Sequence, residues 1–268
     1  MKNQNITLGI IIGNRDFFPD KLVSESRVEV LNVLEKQGIK AVILGENETK
    51  LGGVETYTDA RKCADLFKKH KEDIAGVLVV LPNFGDERGI ADTLHLADLK
   101  VPVLIQGYPD ELNKLNVANR RDSWCGKISV CNNLYQYGIK YSISTKHVVH
   151  PTDPSFQADL QKFLGVCRVV KGMKNVRIGA IGARPTAFNT VRYSEKILQK
   201  NGISVVTCDL SEILGKANKL DNTHQRVKDH LEKIHNYAST GKTPSESLIQ
   251  MAKLDVVLND FMTENQLD

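Results

Sequence analysis

At 268 residues the chain has room for two ordinary domains, and 41% hydrophobic with 25% charged residues excludes disordered, collagen-like and disulfide-scaffold classes. Its 36 basic and 32 acidic residues are interspersed, so a net charge of +4 builds no basic stripe of the kind a nucleic-acid binder displays. Five cysteines without a C-x-x-C pair fit reduced thiols in a cytoplasmic protein, and no run approaches the roughly 18 apolar residues of a membrane span, so neither nucleic acid nor a membrane is an expected partner.

Short β-branched runs alternate with helical patterns from the start, which predicts βα units around a parallel sheet. The first strand is placed at 6–12, a run too short for a signal-peptide core, and the second at 39–44. Between them Val23, Val30, Leu31 and Leu34 share a helical face, with Gly38 just past the helix end. Ala60, Cys63, Ala64 and Phe67 follow the i, i+3, i+4, i+7 rule of an amphipathic helix, and the Lys68 to Lys71 cluster reads as its solvated C-terminus. The third strand, 74–81, is almost wholly apolar, as a central strand covered on both faces should be. Strands at 101–106 and 139–143, with a helix around 128–137, complete one doubly wound domain, and 144–154, with two prolines, reads as a linker.

A helix over 154–171 leads into a strand at 176–181, a short helix around Val191, Ile197 and Leu198, and a strand at 203–207. From Ser211 the pattern is helical to the end, with Met251, Leu254, Val257, Leu258, Phe261 and Met262 on one stripe. The expected architecture is therefore α/β, with two doubly wound parallel-sheet domains in tandem: 1–148, then linker and second domain over 149–268. Because two strands seldom make a self-sufficient sheet, the second domain reads as incomplete.

Familiar motifs fail on context. Asn236 to Thr243 lacks the first glycine of a phosphate loop and follows a helix, so it reads as a turn and helix cap. Gly179-Ala180-Ile181-Gly182 lacks the Gly-x-Gly of a dinucleotide fingerprint. His147 and His150 have no third metal ligand nearby, and no G-x-S-x-G elbow occurs. What remains are the loops after the strands, where open α/β sheets bind ligands: 13–19, 82–87, the long loop reaching Trp124, and 182–189. They mix hydrogen-bonding residues with a fixed cation or an aromatic, a combination suited to a small polyhydroxylated or anionic ligand.

Five stretches, Gly9 to Pro19, Gly76 to Gly85, Val101 to Leu104, Arg121-Asp122-Ser123 and Val176 to Pro185, resemble the fucose/arabinose isomerase superfamily of aldose–ketose isomerases, in the expected order over most of the chain. The resemblance implies two Rossmann- or flavodoxin-like domains followed by a catalytic domain. On this basis the chain is an N-terminal portion, inactive alone, that supplies pocket walls and oligomer contacts to a homo-oligomer. It also implies Mn²⁺ for the complete enzyme, held by two acids and a histidine beyond the stretch ending at Asp268, with no catalytic or metal-binding residue in this chain. The sugar-contacting residues it implies here are Arg15, Asn83, Phe84, Arg184 and Thr186, with Phe84 standing where some relatives carry Trp. Ene-diol isomerisation needs a base for the carbon-bound proton and a cation for the developing oxyanion. A non-catalytic sugar or sugar-phosphate binding module is the alternative, and a flavodoxin-like interaction domain is a third possibility.

Overall fold

Ile74–Leu81 (β3) is buried at every position and forms the centre of a five-stranded parallel sheet. The computed structural model describes residues 6–268; residues 1–5 lie outside the described part. Around β3 stand Thr7–Ile12 (β1), Lys40–Val42 (β2), Val103–Gly107 (β4) and Ser142–Ile143 (β5), in the order β2-β1-β3-β4-β5. That order is doubly wound, and it reverses between β1 and β3.

The helices cover both faces because the apolar strands alternate with period two. Leu78 and Val80 pack with Lys21–Lys36 (α1) and Pro154–Gly172 (α5), while Val77, Val79 and Leu81 pack with Tyr57–Lys69 (α2), Glu87–Ala97 (α3) and Ser123–Gln136 (α4). Thr56 and Asp59 close a capping box at the start of α2, and Asp86 caps α3 through the Gly89 amide. Gly76 lets α5 dock, since a Cβ there would fall 2.5 Å from Cys167 Sγ.

Helix α5 is the main departure from the sequence reading, which assigns it to the second domain. Its Phe156, Leu160, Phe163, Leu164 and Cys167 are buried in the core of the first sheet, and the chain divides between Lys171 and Gly172. The expected linker is also structure. Val149 donates its amide to Gly107 O at 2.8 Å, Gln106 Nε2 donates to Val149 O at 2.7 Å, and Glu29 meets His150 Nε2 at 3.2 Å. The Val149 backbone, paired with Gly107 and Gln106, fastens this stretch to the end of β4.

The second unit pairs Arg177–Ile181 (β6) with Ser204–Cys208 (β7) in parallel, joined through Glu195–Lys200 (α6). Leu210–Lys219 (α7), Gln225–Tyr237 (α8) and Ser245–Glu264 (α9) follow. Cys208, Ile213, Ala217, Val257 and Phe261 form one small core, and Val227, Ala252 and Val256 another. Helix α9 serves both, so its buried residues include Leu248, Ala252 and Val256, while Met251 and Met262 of the expected stripe are exposed. Two parallel sheets are thus present, the second small, and a complete doubly wound second domain is not among the described residues.

Candidate functional site

Strand-order reversal between β1 and β3 leaves a crevice at their C-terminal ends, and both loops that flank it carry a buried asparagine as their second residue. Asn83 Nδ2 donates to Asn14 Oδ1 at 2.7 Å, and Asn83 Oδ1 accepts the Gly85 amide at 3.0 Å. Asn14 Nδ2 donates in turn to Asp20 at 3.1 Å and Glu55 at 3.2 Å. The pair locks the two loops together, and each loop's next residue is one that the sequence singles out: Arg15 and Phe84.

The Arg15 guanidinium lies 4.6 Å from the Phe84 ring centroid, and its Nη1 donates to Glu87 Oε2 at 2.8 Å. Phe18 is buried beside Phe84, with the ring centroids 6.0 Å apart, and Arg120 covers Phe18 at 5.0 Å. The result is a pair of neighbouring rings, Phe84 and Phe18, between two cations, Arg15 and Arg120, with Phe17 exposed beside it.

The β3 loop is held from a third side by the polypeptide after β4. Arg121 Nη1 donates to Pro82 O at 3.0 Å, and Gly126 packs so closely that a Cβ there would lie 1.7 Å from Phe84 O. Arg120 Nε and Ser123 Oγ are buried without a protein partner, so this end of the sheet retains hydrogen-bonding capacity that the protein itself does not fill. Lys127, one turn further along α4, is buried and donates to Ser144 Oγ and His147 O, each at 2.8 Å. Burial lowers its pKa to about 8, because the lost hydration outweighs the attraction of the nearby Asp159 carboxylate.

Of the five residues proposed from sequence, Arg15, Asn83 and Phe84 converge here. Asn83 is fully buried with both ends of its amide engaged, so it positions the loop; Arg15 and Phe84 keep accessible surface. Arg184 and Thr186 belong to the second unit, in the loop after β6. There Arg184 lies 4.2 Å from the Tyr193 ring and 3.5 Å from Glu195, and Thr186 is exposed. Sequence reasoning places Glu87 and Arg120 in candidate loops without giving either a role. Glu87 reads as the ordinary acid in a helix first turn, and nothing local marks a partner 72 residues away.

Manganese does not fit the described side chains: among them no group of three or more His, Cys, Asp or Glu is arranged to hold a metal ion. The carboxylates of Asp20 and Glu55 already share the Lys50 ammonium, at 2.9 and 3.9 Å. No helix among the described residues is long and apolar enough to cross a membrane. A cavity of about 690 Å³, lined in part by Val77, Leu94, Val101, Pro102, Tyr137 and Tyr141, opens at the other end of the sheet. It sits at the N-terminal ends of β3 to β5, where open α/β sheets do not place their ligands.

A family model described as fucose/sulfoquinovose isomerase, N-terminal domain, matches residues 9–174. The match begins within β1, contains every crevice residue described above and ends just past α5. No curated protein sequence matches the chain.

Proposed function

The chain belongs to the fucose/sulfoquinovose isomerase family through this N-terminal domain, and from that premise we propose that its first unit forms one wall of the sugar site of an aldose–ketose isomerase. The observation that carries the reading is the Arg15 guanidinium, held over the Phe84 ring at 4.6 Å and anchored by Glu87 at the crevice between β1 and β3. Guanidinium N–H groups donate to sugar hydroxyls, and the half-buried Phe84 ring, backed by the buried Phe18, takes the apolar C–H face of a pyranose or open-chain sugar. Asn14 and Asn83 keep the two loops in register, so that both contacts are made at once.

In the same reading Arg184 and Thr186 are ligand-facing residues of the second unit. The wall serves a homo-oligomer, in which it closes over another copy's site. Proton transfer between C1 and C2 is assigned to groups other than those described, so the chain by itself binds sugar without isomerising it. Binding, orientation and exclusion of water are its contribution.

Calorimetric titration of the full chain with fucose and with sulfoquinovose tests this. At least one sugar should bind, and Arg15→Met should weaken it on the order of tenfold or more, the loss typical of charge-assisted hydrogen bonds. Absence of binding to both sugars, or an Arg15→Met protein that binds as well as the parent, overturns the reading. Turnover of either sugar by this chain with Mn²⁺ at an enzyme-like rate overturns the division of labour.

A further inference from the structure

We infer that Glu87 makes this crevice selective for a neutral aldose and turns away a sugar carrying an anionic substituent. The inference rests on the sugar-binding reading above. A lone arginine at a crevice mouth suits an anion, and the family's description pairs a neutral sugar with a sulfonated one, so the charge around Arg15 decides which fits.

Arg15 is already matched. Glu87 Oε2 sits 2.8 Å from its Nη1, with both side chains about one-third exposed, at 32% and 28%. Glu87 is fixed there by its place in the first turn of α3, where the helix dipole favours an acid. The neighbouring cations are matched too: Arg120 lies 3.9 Å from Asp122, Arg121 lies 3.9 Å from Glu111, and Lys50 is held by Asp20 and Glu55. Residues 13–20 and 82–88, which form the crevice loops, carry Arg15 and Arg88 against Asp16, Asp20, Asp86 and Glu87, two more acids than arginines. An incoming sulfonate or phosphate meets no surplus positive charge at this mouth.

The pair's hydrogen-bonding character points the same way. Glu87 uses one of the guanidinium's five N–H donors, and among the described residues the others meet no protein acceptor. The second Glu87 oxygen is an acceptor. Such a pair offers donors and an acceptor side by side, which matches hydroxyl groups that both give and take a proton. A sulfonate only accepts, so it forfeits the Glu87 contact and is repelled by it. Beyond the pair, the half-buried Phe84 ring presents apolar surface, which suits a methyl or methylene terminus.

The test is calorimetric titration of the full chain with fucose, quinovose and sulfoquinovose at low salt. Quinovose and sulfoquinovose share a ring and differ in a methyl against a sulfonate-bearing carbon. The better-bound neutral sugar should bind at least about tenfold tighter than sulfoquinovose, and Glu87→Gln should narrow that ratio about tenfold while Glu87→Asp preserves it. Sulfoquinovose binding to the parent chain as tightly as the better-bound neutral sugar overturns the inference alone. So does a folded Glu87→Gln protein with an unchanged ratio. If Glu87→Gln does not fold, the salt dependence of the parent ratio decides: discrimination by Glu87 charge must shrink from low salt to 0.5 M, and a constant ratio overturns it. Binding of none of the three overturns both the sugar-binding reading and this inference.

Discussion

Ile74–Leu81 and Arg177–Ile181 are both parallel strands reached from a helix, yet every residue of the first is buried and none of the second is. Strand β3 has a neighbour on each side and helices over both faces, whereas β6 is paired with β7 alone. Local β pattern thus makes a strand in either unit, but only layers on both faces make a core. The same contrast extends to the binding loops. Those of the first unit are cross-linked through buried amides, Asn14 to Asn83, while the Arg184 loop is tied by contacts among exposed or half-buried groups. Precision at a site follows from the rigidity of what holds it, and here rigidity is concentrated in the first unit.

Two helical glycines test that contrast from opposite directions. The larger effect belongs to Gly126, where any Cβ collides with the Phe84 carbonyl. Gly126→Ala should cost about 4 kcal/mol or abolish folding of the first unit, since backbone must move on both elements. A urea titration showing a near-normal first-unit transition in this variant would break the comparison.

Next in size is Lys127. Its folded pKa of about 8 lies below the ordinary 10.5, so between these values the unfolded chain holds more protons than the native one. First-unit stability should therefore rise as pH goes from about 8 to 10.5, by roughly 3 kcal/mol in total. Subtracting the profile of Lys127→Met, measured by urea unfolding over the same range, isolates that slope. A flat difference refutes it. The smallest effect is at Gly215, inside α7, where a Cβ meets nothing within 4 Å. Gly215→Ala should add about 1 kcal/mol to the second unit through helix propensity alone, read from its own unfolding transition.

Most of the first unit is legible in the sequence because its signals are local. The apolar octapeptide at 74–81, the face of α2 and the helix from Pro154 all lie where periodicity puts them. Strand edges were less so: β5 pairs over Ser142–Ile143, although the apolar pattern starts at Ile139, because Ile139 and Tyr141 are spent on the core beside α4. The crevice was half legible. Position after a strand brings Arg15 and Phe84 to light, but Asn83 looks like a ligand contact until its amide is seen to be consumed by Asn14 and Gly85. Glu87 falls in the candidate loop 82–87, but its pairing with Arg15 is not legible because a salt bridge spanning 72 residues leaves no periodic trace. In the second unit α9 packs against two cores, so a single stripe could not describe it.

The short β5 and the fastening of Val149 to Gly107 have a consequence for the chain in concentrated solution. Ile74-Ala75-Gly76-Val77-Leu78-Val79-Val80-Leu81 is uncharged, proline-free and rich in β-branched residues, the composition that templates cross-β fibrils when laid bare. It is sealed between β1 and β4, and β4 in turn offers no long open ladder, because Ser142, Ile143 and then Val149 occupy its outer side. Fraying of either outermost strand leaves the octapeptide covered. Only detachment of β1 or β4 would uncover it, so the same hydrogen bond that pins the Val149 segment also guards the protein against polymerising through its own centre.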